Sequence, residues 1–341
     1  MKRAAAWILA AMTAVSLLSG GLAEPTEYIV GEKIVPTLPL PPLEEGKIVE
    51  LPVEKDPKIG PHEECFIFEG DDTKAPTGYA DPSITVNIGR GRAEYTFESG
   101  GKQRTDTANY IYAKVKIAHP SQIRTAMAGT LRTDNTSLGS SLAQREKAVV
   151  AINADYGGSK TFKGSVYRQG KELRLNSKGN VDVLVIDKNG DLVILPKATN
   201  EDVQRAAAEG AVNIFTFGPA LVLDGQPQYG YTERSMDTEG RAQRMAIAQL
   251  GPLEYLLITS EGPEDPGCTG LSLDRFVDLV ASFGVKNAYN LDGGSCSTLI
   301  FRKNGKWAKI NAPKNPKKRP LKDIIYFADA WEVNETEEVG E

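Results

Sequence analysis

The chain has 341 residues, of which 40% are hydrophobic and 25% are charged, a composition typical of soluble globular proteins. Its formal charge of −5 argues against a nucleic-acid partner, because nucleic-acid-binding domains usually present a basic face. With 2 histidines and 3 scattered cysteines, the chain offers too few soft ligands to indicate a zinc site.

Residues 1–23 are predicted to form a cleavable signal peptide. Lys2 and Arg3 precede an apolar run from Ala4 to Leu18, and the small residues that end at Ala23 fit a cleavage site. The apolar run is short for a membrane span, so we expect an exported protein, secreted or associated with the cell envelope, without a span after cleavage. An uncleaved N-terminal anchor is the alternative.

Residues 24–80 are predicted to form a Pro-rich linker or arm. Up to about residue 61 the segment is rich in Pro, Glu and Lys, so it cannot bury enough apolar surface to fold alone. An arm of this length could hold a domain away from a surface, but a disordered leader is the simpler interpretation. At the other end, residues 334–341 form an acidic tail.

Residues 81–333 are predicted to form one α+β domain with central β-sheets and a few packed helices, because strand and helix patterns are mixed along this stretch. Strand patterns occur at residues 83–88, 109–117, 121–126, 149–152, 181–186, 191–195, 216–223, 244–250, 253–259, 285–289, 299–301 and 323–328. Helices are predicted over residues 141–148, 201–209 and 273–283, with Ser272 as the N-cap and Gly284 as the stop of the last one.

The stretch with the clearest chemical character runs from Asn290 to Thr298 and reads Asn-Leu-Asp-Gly-Gly-Ser-Cys-Ser-Thr. Its adjacent glycines, Gly293 and Gly294, let the backbone turn tightly and approach a ligand closely. Its hydroxyl groups and backbone N–H groups can bind the oxygens of a sugar or a phosphate. A plain hairpin turn between the flanking strands is the alternative, since Asp-Gly is the commonest hairpin signal.

Polar side chains follow two other buried strand patterns. Asn153 and Asp155 come after one such strand, and Glu261 comes after another. Because open sheets commonly build binding sites at their edges, we expect these groups to share a pocket with Asp292. Taken singly, each acid is more often a turn or cap residue.

Arg124 and Arg244 are the basic candidates for this pocket, and each lies within a strand pattern. The planar guanidinium group is well suited to bidentate binding of a phosphate. The alternative for either residue is an arginine that simply faces solvent, as arginines in strands usually do.

The three cysteines are Cys65, Cys268 and Cys296. Cys268 and Cys296 lie in loops of small residues, and we expect them to be close in space. A disulfide between them stays open, because an exported protein folds in an oxidising compartment. A catalytic role for Cys268 or Cys296 is disfavoured, since neither His62 nor His119 lies near them in the sequence.

Several blocks, in order, resemble those of the phosphodiester glycosidase family. They are Ala-Ile-Asn-Ala-Asp-Tyr at 151–156, Phe-Gly-Pro-Ala-Leu-Val at 217–222, Arg-Ala-Gln-Arg-Met-Ala-Ile at 241–247, Glu-Gly at 261–262 with Gly-Leu-Ser-Leu at 270–273, the stretch at 290–298, and Arg-Pro-Leu at 319–321 followed by Asp323. The resemblance covers about residues 81–331. Departures from the family pattern fall at Ala154, Gly157, Gln243, Met245 and Cys296.

The resemblance implies a hydrolase that cleaves the glycosidic C–O bond of a sugar-1-phosphodiester and releases a sugar and a phosphomonoester. A sugar-phosphate glycan or glycolipid would be the substrate. Asp292 and Glu261 would form the catalytic carboxylate pair, and Arg244 would stabilise the departing phosphate. The residues expected to bind the substrate or to orient the acids are Asn153, Asp155, Arg124, Asn290, Gly293, Gly294, Ser295 and Thr298.

Two other functions are compatible with the same residues. The first is a non-catalytic cell-envelope protein that binds carbohydrate in this pocket. The second is a metal-dependent phosphoesterase that cleaves the P–O bond. No cofactor is expected for the glycosidase, although an all-oxygen Ca²⁺ or Mg²⁺ site formed by Asp155, Asn290 and Asp292 stays open.

Overall fold

The structure is a computed structural model that describes residues 34–53, 59–69, 76–157, 159, 164–230, 240–312 and 319–333, and the backbone of residues 27–30. The expected signal peptide and the acidic tail lie outside these residues.

The described residues form strands and a few short helices. The strands are β1 Glu27–Val30, β2 Lys47–Ile48, β3 Phe66–Ile67, β4 Gly78–Ala80, β5 Ile84–Ser99, β6 Lys102–Ile117, β7 Ile123–Met127, β8 Ala148–Asn153, β9 Val166–Arg168, β10 Lys171–Arg174, β11 Val183–Asp187, β12 Leu192–Leu195, β13 Ala211–Phe215, β14 Ala220–Leu223, β15 Gln226–Pro227, β16 Arg244–Gly251, β17 Glu254–Ser260, β18 Asn287–Leu291, β19 Leu299–Lys303, β20 Lys306–Lys309, β21 Asp323–Ala328 and β22 Trp331–Glu332. The α-helices are α1 Gly139–Arg145, α2 Asn200–Ala208 and α3 Leu273–Ala281, and 3-10 helices span Glu63–Cys65, Pro120–Gln122 and Gly294–Cys296.

Three sheets surround one hydrophobic core. The large sheet has the order β15-β14-β18-β16-β17-β6-β5-β4-β3, with β1 added to β5. The second sheet has the order β20-β19-β8-β21-β7, and the third has the order β10-β9-β13-β11-β12. Tyr289, Phe327 and Ile186, one from each sheet, are fully buried in the same apolar cluster. The α+β class predicted from the sequence is therefore confirmed.

Each sheet is covered on a second face by one helix. Phe276 of α3 packs in the cluster on the large sheet, Leu142 of α1 packs on the second sheet, and Val203 of α2 packs on the third. As predicted, Ser272 caps α3, and its hydroxyl accepts a hydrogen bond from the Arg275 N–H at 3.3 Å. Within the described residues, no helix is both long and apolar enough to cross a bilayer.

The strand expected over residues 216–223 is shorter in the structure, because only Ala220–Leu223 form a strand and residues 216–219 connect it to β13. Phe215 ends β13 in the third sheet, and Ala220 begins β14 in the large sheet. Gly218 has a φ of +73°, and Pro219 has no N–H to donate to a ladder, so the backbone leaves one sheet there and enters another.

The N-terminal arm lies against the domain over residues 34–53. The Val35 N–H donates to the Tyr112 hydroxyl at 2.9 Å, the Thr85 hydroxyl donates to the Leu38 carbonyl at 2.8 Å, and Leu51 is buried. Short strand β2 also pairs with β22. A disordered leader is therefore the wrong description of this part. The segment is too polar to fold alone, but its few apolar side chains can add to a core that already exists.

Candidate functional site

The stretch from Asn290 to Thr298 connects two different sheets. Strand β18, which precedes it, lies in the large sheet, and β19, which follows it, lies in the second sheet. A hairpin would require these strands to pair with each other, so the plain-turn interpretation is wrong. The 3-10 helix Gly294–Cys296 makes the crossing, and Asp292 lies where β18 of the large sheet and β8 of the second sheet end.

Asn153, the last residue of β8, links the segment between β18 and β19 to the second sheet by hydrogen bonds. Its side-chain N–H donates to the Asp292 carbonyl at 2.7 Å, and its side-chain oxygen accepts from the Thr298 N–H at 2.9 Å. In addition, the Asp292 N–H donates to the Ala154 carbonyl at 3.2 Å. The polar ends of β8 and β18 therefore lie side by side, as the sequence analysis expected.

The two glycines of the crossing are required for different reasons, a close backbone contact at Gly293 and a positive φ at Gly294. A Cβ atom on Gly293 would lie 2.8 Å from the Gln243 carbonyl oxygen. Gly294 has a φ of +58°, and its N–H donates to that same carbonyl at 2.9 Å. Ser295 is exposed, and its hydroxyl accepts a hydrogen bond from Arg319 at 3.3 Å.

Glu261 and Asp292 follow two strands that are separated by one strand, β16. Two spacings of about 4.8 Å place the strands that carry them about 10 Å apart, and Glu261 does not line the cavity that Asp292 lines. The Glu261 carboxylate accepts from the Asn109 amide at 2.9 Å and from the Cys268 thiol at 3.5 Å. Glu261 is therefore held on the β6 side of β16, whereas Asp292 lies on the β18 side.

Burial raises the pKa of the Asp292 carboxyl above its ordinary value. A hydrogen bond with the Cys296 thiol and the positive charge of Arg319 oppose this increase, while the negative charge of Asp155 adds to it. The side chain is only partly buried, so it remains accessible to a substrate. This combination is typical of a carboxyl group that takes part in proton transfer.

Arg244 and Asn290 both point towards the face of the large sheet that α3 covers. Arg244 is buried, and its guanidinium group donates to the carbonyls of Leu271 at 3.2 Å and Gly240 at 2.6 Å. Asn290 lies inside β18 rather than after it, and its amide donates to the Gly218 carbonyl at 2.8 Å. The Asn290 side-chain oxygen is buried and has no hydrogen-bond partner among the described residues.

Asp155 forms a buried ion-pair cluster with Arg168 and Asp323. The Arg168 guanidinium donates to Asp155 at 2.5 Å and to Asp323 at 2.9 Å, and it stacks over the Phe215 ring at 4.1 Å. The other Asp155 oxygen accepts from the Thr216 N–H at 2.8 Å. Burial and the charge of Asp155 raise the pKa of Asp323 to about 7, against the opposing charge of Arg168. Asp155 thus has protein partners, whereas the sequence predicted that it binds sugar hydroxyls or orients the acids.

Arg124 lies apart from this group, in the second sheet. It is buried, and its guanidinium donates to the Tyr326 hydroxyl at 3.2 Å and to the Pro52 carbonyl at 2.9 Å. Tyr326 follows Asp323 by three residues, or about 10 Å along a strand. Arg124 therefore contacts the N-terminal arm, and the contacts that it makes give it no phosphate-binding geometry at Asp292.

The cysteines are free in the described residues, so no disulfide joins Cys268 to Cys296. Cys268 contacts Glu261, and Cys296 contacts Asp292. The disulfide that the sequence left open is therefore absent, and the two thiols approach different carboxyl groups. Among the same residues, no group of three or more His, Cys, Asp or Glu side chains is arranged to hold a metal ion.

Two cavities flank the crossing. The carboxylate cleft is lined by Asn153, Ala154, Tyr156, Asp292, Cys296, Leu321, Lys322 and Asp323. The lysine cavity is lined by Gln243, Glu264, Asp265, Gly294, Ser295, Ser297, Lys309, Asn311 and Ala312. Sequence reasoning missed Arg168, Asp265 and Lys309 as members of the site, because they stand in ordinary strand and loop patterns and only long-range contacts bring them here.

Comparison with known proteins agrees with this architecture. The NAGPA model, described as phosphodiester glycosidase, matches residues 146–328. The catalytic domain of zebrafish N-acetylglucosamine-1-phosphodiester α-N-acetylglucosaminidase, auto-inhibited by its pro-peptide, is similar in fold. It has 16% identity and a TM-score of 0.54, and the match covers 82% of this chain and 98% of that chain.

Two further solved structures are more distant. A hypothetical protein from Synechocystis has 17% identity and a TM-score of 0.44 over 75% of this chain and 64% of that one. A protein from Burkholderia pseudomallei K96243, titled as exported, has 13% identity and a TM-score of 0.40 over 67% of this chain and 77% of that one. No curated protein matches the chain significantly. Since the family match spans more than half of the sequence and includes most of the residues gathered at the sheet crossing, the chain belongs to the phosphodiester glycosidase family.

Proposed function

We propose that this protein hydrolyses the glycosidic C–O bond of a sugar-1-phosphodiester and releases the sugar and a phosphomonoester. The observation that carries the proposal is the position of Asp292. Its partly buried carboxyl group lines the carboxylate cleft, it has a raised pKa, and Asn153 fixes its backbone. Membership of the family supplies the reaction class.

In the proposed reaction, a water oxygen attacks the anomeric carbon while the bond from that carbon to the phosphate oxygen breaks. The bonding electrons leave with the phosphate, and the water proton passes to a carboxylate. Asp292 takes this proton or stabilises the positive charge that develops on the sugar ring, with Glu261 as its partner across β16. Because phosphate is a good leaving group, charge stabilisation matters more than protonation of the leaving oxygen.

Arg319 is a cation whose charge acts on Asp292. Its guanidinium contacts the Ser295 hydroxyl at 3.3 Å, and its charge lowers the pKa of Asp292. Arg319 is exposed, whereas Arg244 is buried and donates to two backbone carbonyls. We therefore assign contact with the departing phosphate to Arg319, and we assign to Arg244 the support of the strand beneath the site.

We further propose that the protein acts outside the cytoplasm on cell-envelope or extracellular glycans. The N-terminal sequence pattern of a charged start, an apolar run and small residues supports export. Polymers that contain sugar-1-phosphodiesters are the chemical class that such an enzyme would meet there.

The test is turnover of a panel of sugar-1-phosphodiesters, including teichoic-acid-like polymers, by the purified mature protein in ¹⁸O-labelled water. We expect the label in the released sugar, and we expect Asp292→Asn to lower kcat about 10³-fold. Asp224→Asn, at an exposed position away from the cleft, is the matched control and should retain full activity. Label in the phosphate would instead identify a phosphoesterase, and binding without turnover would identify a carbohydrate-binding protein.

A further inference from the structure

The part of the carboxylate cleft that solvent can reach is formed by two side chains. Of the eight described residues that line this cleft, six are buried, and only Tyr156 and Asp292 are partly exposed. The cleft has room for about one water molecule, so a larger ligand must lie over its opening and not inside it. A group that reacts at Asp292 therefore has the side chain of Tyr156 as its neighbour.

The backbone of Tyr156 has a conformation that its side chain disfavours. Its φ is +67°, in the left-handed region that bulky residues rarely adopt. Such a conformation costs free energy, and residues that keep one cluster at catalytic and ligand-binding sites. Glycine would adopt the same φ without strain. An aromatic ring is therefore present at this position against the preference of the backbone.

The buried ion-pair cluster at Asp155 holds this conformation. The Asp155 carboxylate closes a turn around Tyr156, because one of its oxygens accepts from the Gly157 N–H at 2.8 Å. The Arg168 guanidinium and the Thr216 N–H fix the same carboxylate at 2.5 Å and 2.8 Å. Gly157 is one of the departures from the family pattern, and a Cβ atom there would lie 2.7 Å from Asp155 and 2.7 Å from Arg168. The turn that presents Tyr156 therefore depends on Asp155 and requires glycine at 157.

A partly exposed aromatic ring beside a carboxyl group matches the two kinds of surface that a cyclic sugar presents. The C–H groups of a sugar ring form an apolar face that packs on an aromatic ring, while its hydroxyl groups and its anomeric centre face polar side chains. Tyrosine supplies such a ring at a low cost in side-chain entropy, because it has only two side-chain torsions. A phosphate group has no apolar face, so the Tyr156 ring suits the sugar part of the substrate.

We propose that the ring of Tyr156 packs against the apolar face of the reacting sugar, over the opening of the carboxylate cleft, and gives the site its preference for a cyclic sugar. This inference rests on the proposed function, because the sugar is the one whose anomeric carbon is attacked beside Asp292. The cluster of Asp155, Arg168 and Asp323 then acts on the substrate only indirectly, by holding the turn that presents the ring.

The experiment measures steady-state kinetics on a sugar-1-phosphodiester that the wild type hydrolyses. We expect Tyr156→Gly to raise KM about tenfold with little change in kcat, because the ring contacts the sugar equally in the ground state and the transition state. Tyr156→Asn, which also tolerates a positive φ, should show the same increase, whereas Tyr156→Phe keeps the ring and should retain the wild-type KM. Lys197→Gly, at an exposed position with a φ of +47°, is the matched control for the backbone change and should also retain it. Urea unfolding verifies that each variant is folded.

A wild-type KM in Tyr156→Gly and Tyr156→Asn would overturn the proposal, and so would an equal defect in Tyr156→Phe, because the ring would then not be the contact. If the wild type hydrolyses no sugar-1-phosphodiester, the proposed function fails and the contact is tested by binding alone. Calorimetry should then show that glucose 1-phosphate binds the wild type more tightly than Tyr156→Gly, while glycerol phosphate, which lacks a sugar ring, binds both proteins alike. Equal affinity of the two proteins for glucose 1-phosphate, or no binding to the wild type, would overturn the contact as well.

Discussion

The side-chain amide of Asn153 donates to the backbone carbonyl of Asp292 over 2.7 Å, and the same side chain accepts from the Thr298 N–H over 2.9 Å. One carboxamide thus provides hydrogen-bond partners for backbone groups at both ends of the segment that crosses between the sheets. Asp and Ala cannot replace it, because Asp lacks the donor and Ala lacks both groups. The position of the Asp292 carboxyl group therefore depends on a residue of a different sheet.

We predict that Asn153→Ala lowers the free energy of unfolding by about 2–3 kcal/mol, because two backbone groups at the crossing lose their partner. We also expect kcat to fall, since Asp292 loses its fixed position. Urea unfolding and steady-state kinetics measure the two effects. Asn135→Ala, at an exposed position, should change neither quantity. Wild-type stability in Asn153→Ala would show that the crossing is held by other contacts.

Arg168 is the cation that contacts both Asp155 and Asp323, so its removal should be strongly destabilising. We predict that Arg168→Met lowers the free energy of unfolding by about 3–5 kcal/mol, because the buried carboxyl groups of Asp155 and Asp323 lose the cation that both contact. The triple variant that adds Asp155→Asn and Asp323→Asn should recover part of this loss. Urea unfolding of the three proteins measures both effects. A triple variant less stable than the single one would contradict the electrostatic cause.

Arg319 should determine the pH at which kcat/KM falls on the acid side of its pH profile. Its charge lowers the pKa of Asp292, so Arg319→Gln must raise that pKa further above its ordinary value. If the reaction requires the Asp292 carboxylate, the acid limb of kcat/KM then moves to higher pH. Arg319→Lys keeps the charge and should leave the limb near its wild-type position. If the acid limb of kcat/KM does not move in Arg319→Gln, Asp292 is not the group whose ionisation controls activity.

A second buried carboxyl, Asp329, should make stability depend on pH. It accepts from the Tyr79 hydroxyl at 2.9 Å and from the Trp331 N–H at 2.8 Å, and burial together with the charge of Asp81 raises its pKa to about 8. In the unfolded chain this pKa is about 3.9. Between these values the folded state binds more protons than the unfolded state, so the contribution of Asp329 to stability falls as the pH rises from about 4 to about 8.

We therefore expect Asp329→Asn to reduce the difference in the free energy of unfolding between pH 5 and pH 8.5, as measured by urea unfolding at both pH values. Asp224→Asn, at an exposed aspartate, should keep the wild-type difference. An undiminished difference in Asp329→Asn would mean that other groups cause the pH dependence.

Local patterns in the sequence were sufficient to predict many of the strands and helices. The strand predicted over residues 323–328 has those limits in the structure, and α3 begins after the predicted cap Ser272. Side-chain periodicity and capping are set by neighbours within a few residues, so one sequence carries them. The same local signals located Asp292 at the end of a strand and beside the two glycines.

Strand partners, by contrast, were decided only by tertiary packing. Asp-Gly after β18 suggested a hairpin, but β18 pairs with β16 and β19 pairs with β8, so the segment crosses between sheets. Arg168 reaches Asp155 and Asp323, and Lys309 reaches the site, only because distant strands pack together. The sequence determined which residues could carry chemistry at Asp292. Long-range burial of apolar faces decided which cations and carboxylates surround it, because such contacts leave no periodic signal along the chain.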